Sequence, residues 1–271
     1  DAIHEEGSLA VLQIHHGGRM CPASILGHAP LSASAVPAER PGADTPRAMT
    51  EEEIHATIEA FGAATRRAIA AGYDGVEIHG ANTYLLQQFF SPHSNRRDDD
   101  WGGSLEKRLR FPLAVTRAVL SAAAEADRPF AVGYRFSPEE VENPGITLED
   151  TMVLVEALVG VRGEGEKGRR IEGRRLDWLH VSVRDYMAGS MRDPQDLRRP
   201  TRVVIEHVDR LPETDRLPVI GVGLMHTPED ALLALEDGCA AVALGRIALM
   251  EPEWTEKVHT GRVADLRRTL P

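Results

Sequence analysis

The chain has little cysteine, little positive charge and no long apolar run, and each shortage closes off a class of function. Its two cysteines are Cys21 and Cys239. Two are too few for a disulfide scaffold, and they cannot supply the four thiolates of an iron–sulfur cluster. A reducing, cytoplasmic setting fits that usage. Lysine and arginine together number 31 against 42 acidic residues, a net charge of −11. Phosphate backbones and anionic bilayers require a cationic footprint, so neither nucleic acid nor membrane is expected as a partner. No apolar run approaches the roughly 18 residues that cross a bilayer. No signal-peptide pattern is visible either. The lysines are Lys107, Lys167 and Lys257. None stands at a strand end, which disfavours a barrel aldolase working through a Schiff base.

What is present is an alternation of short apolar runs with longer amphipathic stretches. Six runs read as strands: Leu9–Ile14, Gly75–Ile78, Phe130–Tyr134, Trp178–Val183, Val219–Val222 and Ala240–Leu244. Their near-continuous Val, Ile, Leu and Ala content suits parallel strands covered on both faces. Thr50 reads as an N-cap with Glu53 three residues on, opening a helix to about Ala71, before Gly72. Further helices are expected over Ser104–Ala126, Thr147–Val159, Pro194–Val208, Thr227–Glu236 and Glu251–Arg268. Residues 20–49 are rich in Pro and Ala. Residues 160–176 are dense in Gly, Arg and Glu, a composition that suggests a mobile loop.

Strand–helix alternation gives a parallel sheet with right-handed crossovers. An open doubly wound sheet would carry a Gly-x-Gly-x-x-Gly turn after its first strand. This first strand runs instead into His15-His16-Gly17-Gly18-Arg19, which favours a (β/α)8 barrel. A barrel needs eight units and six are legible. The expectation is a single barrel domain over residues 1–271 that is incomplete, its first two units missing. Two open parallel edges would invite pairing with another chain, and a homo-oligomer is left open.

Barrel active sites lie at the C-terminal ends of the strands. Those ends carry Gln13, His15, His16 and Arg19; then His79, Asn82 and Tyr84; then Arg135 and Ser137; then Ser182 and Arg184. The last two yield Gly221-Val222-Gly223 and Gly245-Arg246. Glycines after consecutive strands let backbone N–H groups approach a phosphate, and Arg246 can pair with it. Taken alone the glycines would serve equally as turns. With Arg246 adjacent, phosphate is the better reading. The histidines show no metal-ligand spacing, so no metal is expected.

From His79 to Val115 the sequence reads HGANTYLLQQFFSPHSNRRDDDWGGSLEKRLRFPLAV. This stretch resembles the signature of the old yellow enzyme family: HGA, a Tyr, then a long SP-SN-R-D-GGS-E-R-RFP run. Gln13 to Arg19, Gly133 to Pro138, and Gly245-Arg246 followed by Pro252 and Trp254 resemble further family segments, in family order. The resemblance implies FMN over the barrel mouth, reduced by NADH or NADPH, and an electrophilic small-molecule alkene as substrate. It implies Gln13 on the flavin ring edge and Arg135 beside the charge that the ring gains on reduction. Gly223, Leu224, Gly245 and Arg246 would hold the phosphate. His79 and Asn82 would donate to an enone oxygen, and Tyr84 would protonate the α carbon. His15 reads as structural, His16 and Arg19 take no chemical step, and Ser91–Arg110 reads as a solvated loop and helix start. Family members begin with two more βα units, which residues 1–8 cannot contain, and Cys21 follows the wrong strand to replace a residue they supply. The expectation is therefore a truncated chain. Its alternative reading is a non-catalytic remnant that does not retain flavin.

Overall fold

A computed structural model describes residues 2–164 and 174–267. Six strands form one parallel sheet: β1 (Val11–Ile14), β2 (Gly75–Gly80), β3 (Ala131–Phe136), β4 (Trp178–Ser182), β5 (Val219–Val222) and β6 (Ala241–Val242). They stand in sequential order, β1 and β6 being its two edges among the described residues. The six strands read from the sequence are these six, with boundaries moved by a few residues.

Between them run α1 (Glu51–Ala70), the short α2 (Leu85–Phe90), α3 (Leu105–Ala123), α4 (Leu148–Gly160), α5 (Pro200–Val208) and α6 (Pro228–Glu236). The starts are set by caps. Thr50 and Glu53, Thr147 and Asp150, and Thr227 and Asp230 each form a reciprocal capping box, satisfying backbone donors that a helix start leaves unpaired. Two expected helices are shorter than read. Residues 194–199 are not helical, and α5 begins only at Pro200, because the residue before a proline is pushed to extended backbone, as Arg199 is at ψ 121°. The expected Glu251–Arg268 helix is a six-residue α-helix, Trp254–His259, followed by a 3-10 turn at Val263–Asp265. Gly261, at φ 74°, stands in the left-handed region that ends helices. The expected loop at 160–176 falls largely on residues 165–173, outside the described residues.

The strand register decides what the two sheet faces carry. Gln13 lies opposite Glu77, Glu77 opposite Gly133, and Gly133 opposite Trp178. One step on, His79, Arg135 and His180 align. Side chains alternate along a strand, so these polar groups share one face. The other carries Val76, Ile78, Val132, Tyr134, Leu179 and Val181, all buried in the main core. The strands are therefore not apolar on both faces as their composition suggested. Two of the six residues of β2, Glu77 and His79, are ionisable, and both lie on the polar face.

The charged run after α2 also differs from its reading as solvated. Ser91, Ser94, Asn95 and Arg108 are buried. Arg108 donates to the carbonyls of Phe90 and Gly103, and Asn95 to those of Phe89 and Trp101. Arg97 donates to Ala33 and Met49, tying in the Pro/Ala-rich segment, whose Leu31–Ser32 and Arg47–Ala48 form a small parallel pair. The run ties the end of α2, the start of α3 and the Pro/Ala-rich segment together.

Candidate active site

β2 ends in His79, Gly80 and a turn in which Asn82 and Thr83 both adopt left-handed backbone, φ 54° and 62°. The turn is held by Asn82 N–H donating to Ser137 Oγ at 2.9 Å and Thr83 N–H donating to Gln87 Oε1 at 2.9 Å. It returns Tyr84 toward His79, the rings meeting edge-on at 4.9 Å between centroids. His15, from the end of β1, stacks flat on Tyr84 at 5.3 Å and stands 5.9 Å from His79. His15 was expected to be structural. The structure packs it against Tyr84 and beside His79.

The protonation of His79 follows from its surroundings. Ala81 N–H donates to Nδ1 at 3.2 Å, so in the neutral ring Nε2 carries the proton. Burial first, then the charges of Arg135 and His15, hold the imidazolium form down to about 4. Near neutral pH His79 is a neutral donor through Nε2–H.

Asn82 is exposed, and a relay fixes its amide. Arg135 Nη2 donates to Ser182 Oγ at 3.0 Å, and Ser182 Oγ donates to Asn82 Oδ1 at 3.1 Å. With Oδ1 engaged, Nδ2 is left to donate. Arg135 Nε is buried without a partner. Burial pulls this guanidinium below its ordinary value, against the opposing charge of Glu77.

A cavity of about 280 Å³ gathers Arg135, Asn82, Gly223, Leu224, Gly245 and Arg246, with Arg184 and His226 beside them. Gly223 (φ 151°) and Leu224 (φ 43°) turn the chain here, and a Cβ on Gly223 would lie 2.6 Å from the backbone nitrogen of Tyr186. That bend is open only to glycine. Arg184 and Arg246 are exposed and make no ion pair or hydrogen bond among the described residues. A second cavity, about 610 Å³, shares Asn82, Ser182, Val183 and Arg184 with the first and continues past Pro138, Met191 and Leu197. Gln13 lies lower, on β1, its Nε2 donating to Glu77 Oε1 at 2.6 Å. His16 and Arg19 face elsewhere. His16 Nδ1 accepts from Gly18 N–H, and the buried Arg19 donates to the carbonyls of Val36 and Pro37.

Sequence reasoning had noted Ser182 and Arg184 only as rim residues, and had missed the buried layer of Glu77, Trp178 and His180. The available signal was the period of two: Glu77 stands two residues before His79. Among the described residues no group of three His, Cys, Asp or Glu is placed to hold a metal ion, and no helix is long and apolar enough to cross a membrane.

The sequential parallel sheet thus gathers a neutral imidazole donor, a phenol and an arginine-lined cavity at its strand ends. The NADH:flavin oxidoreductase / NADH oxidase family profile matches residues 1–265, and the chain belongs to that family, the old yellow enzyme family. It is 45% identical over 270 residues to the probable NADH-dependent flavin oxidoreductase YqiG of Bacillus subtilis, covering 99% of this chain and 68% of that one. It is 47% identical over 261 residues to an NADH:acrylate oxidoreductase of Vibrio harveyi, covering 95% of this chain but 24% of the relative. The fold superposes on the old yellow enzyme homologue from Zymomonas mobilis with a TM-score of 0.76 at 24% identity, covering 96% of this chain and 69% of that one.

Proposed function

We propose that this chain binds FMN at the mouth of its sheet and, using NADH, reduces the activated C=C of α,β-unsaturated carbonyl compounds. The observation that carries the reading is the single cavity that assembles Arg135, Gly223, Leu224, Gly245 and Arg246 from three different strand ends. Its residues suit FMN: a cradle that only glycine permits at 223, two unpaired arginines for a phosphate, and an orphaned, buried Arg135 Nε for a polar ring edge. The relative's NADH dependence supports NADH as reductant.

Bound FMN supplies the two-electron chemistry, taking hydride from a nicotinamide and giving it to an alkene. The chain's own groups do the rest. His79 Nε2–H and Asn82 Nδ2 donate to the substrate's carbonyl oxygen, where negative charge grows as hydride reaches the β carbon. The Arg135–Ser182–Asn82 relay keeps the Asn82 amide turned the right way. Tyr84 Oη gives its proton to the α carbon, with its ring held between His79 and His15. Arg246 and the backbone N–H groups of residues 223, 224 and 245 bind the phosphate. The larger cavity beyond Asn82 receives the substrate's remaining bulk.

The test is to express the chain with excess FMN, remove free ligand by gel filtration and record the visible spectrum. A retained oxidised-flavin band that bleaches with NADH and returns on adding an enone is the expected result. A colourless product refutes the reading and leaves the chain a remnant that does not retain flavin. A band that bleaches but ignores enones refutes the substrate class alone.

A further inference from the structure

Beneath the mouth lies a buried carboxylate that the chemistry above does not use. Glu77 is 8% exposed, and both its oxygens are occupied. Oε1 accepts from Gln13 Nε2 at 2.6 Å; Oε2 accepts from Trp178 Nε1–H at 3.0 Å and from His180 Nδ1–H at 2.9 Å. Gly133 makes the arrangement possible, since a Cβ there would sit 1.9 Å from Trp178 Cε2. Burial alone would push this carboxyl up, but the hydrogen bond and charge of His180, then the bonds from Trp178 and Gln13, bring it down to about 2. Its negative charge bears on both Arg135 and His79.

An amide of the same size has a single acceptor oxygen, so it could not accept from Gln13 on one side and from Trp178 and His180 on the other, as the carboxylate does. Of two groups expected to meet a flavin, Gln13 is bonded to Glu77 and Arg135 lies on the same sheet face, opposite His79 on the neighbouring strand. Gln13 has its amide nitrogen committed to Oε1, which leaves its own Oε1, unpartnered among the described residues, to accept from a ring N–H. Arg135 is the cation that Glu77 opposes.

We propose that Glu77 is a positioning residue for the cofactor: it fixes the Gln13 amide in its acceptor orientation and, by opposing Arg135, sets the net charge beneath the ring. This rests on the FMN reading of the mouth. Removing the negative charge leaves Arg135 less opposed, which favours the charge that the ring gains on reduction. Replacing the carboxylate with an amide, which can offer Gln13 either an acceptor or a donor, releases the Gln13 orientation.

The experiment compares wild type, Glu77→Gln and Glu77→Asp, each reconstituted with FMN. FMN dissociation constants, the flavin's two-electron equilibrium against a reference dye, and melting temperatures of the FMN-free chains are measured. Glu77→Gln is expected to raise the reduced-to-oxidised ratio at fixed dye potential about tenfold, roughly 30 mV for two electrons, and to weaken FMN binding several-fold. Glu77→Asp keeps the charge but is one methylene short of Gln13, so it should weaken binding while leaving the ratio within twofold of wild type. A purely structural Glu77 would lower the melting temperature and leave the ratio unmoved in both variants, and that outcome overturns the proposal. A ratio that moves as far in Asp as in Gln overturns it too. A wild-type chain that holds no FMN sinks the underlying reading as well, whereas a yellow wild type with an unshifted Gln variant sinks this inference alone.

Discussion

The depressed carboxyl of Glu77 makes a prediction that needs no cofactor. Held near 2 instead of its ordinary 4.5, it contributes roughly 3 kcal/mol above pH 4.5, at about 1.4 kcal/mol per unit. The sign follows from linkage. A group whose folded pKa lies below its unfolded value stabilises fully above the unfolded value, and that stability drains away as pH falls toward the folded one. By the same relation about 1.4 kcal/mol remains at pH 3, so about 2 kcal/mol is lost between pH 5 and 3. A glutamine does not titrate. Acids such as Glu53, Asp196 and Glu251, also held down to about 2, are common to both chains and cancel in the difference. Urea unfolding of wild type and Glu77→Gln at pH 5, 4 and 3 reads that difference from paired midpoints and slopes. Its change by about 2 kcal/mol toward the variant is the expected result. A difference constant to within about 0.5 kcal/mol, with unchanged slopes, would mean that the Glu77 carboxyl is not held down, and the argument from its three donors would fail.

Four further outcomes follow from the mouth and its support. His79→Ala in the FMN-loaded chain should lower kcat/KM for an enone by about 10²–10³, the usual loss for one donor on a developing oxyanion, in steady-state assays at saturating NADH. Because burial and Arg135 keep His79 neutral down to about pH 4, wild-type alkene reduction should show no protonation of His79 between pH 8 and 6, and its loss should appear only as pH falls toward 4. Arg246→Ala should weaken FMN binding by about 1.5–3 kcal/mol, the range for a charge-assisted hydrogen bond, measured by fluorescence titration; an unchanged constant would remove Arg246 from the phosphate site. Gly133→Ala should cost about 1–3 kcal/mol in urea unfolding, because the new methyl has to displace the Trp178 indole.

Much of this architecture was legible because its signals are local. A capping box needs four residues, and Thr50 with Glu53 marks the start of α1 in sequence and structure alike. Where local signals conflicted, periodicity misled. The charged run before Pro200 extends the helical pattern of α5 upstream, yet Asp196 Oδ1 accepts the backbone N–H of Arg198 and Asp193 Oδ1 that of Gln195, turns that compete with helix. Gly261 likewise outweighs the amphipathic pattern that runs past it, because positive φ costs it nothing.

The candidate site divides along the same line. His79, Asn82 and Tyr84 lie within six residues, so one turn can converge them, and their spacing said as much. The groups that orient them come from far along the chain: Ser182 reaches Asn82 across 100 residues, and His180 reaches Glu77 across 103. Such pairs depend on register, and one residue of slip would send Glu77 to the apolar face and Ile78 into the mouth. Register is fixed by the apolar halves of the strands, Val76 and Ile78 against Val132 and Tyr134, packed beneath the helices. The hydrophobic core thus selects which polar side chains meet at the mouth. A composition count that finds β2 mostly apolar averages over the alternation that does the selecting. Reading each strand at a period of two, with the helix-facing residues assigned first, places Gln13, Glu77, His79, Arg135, His180 and Ser182 on one surface before any side-chain contact is known.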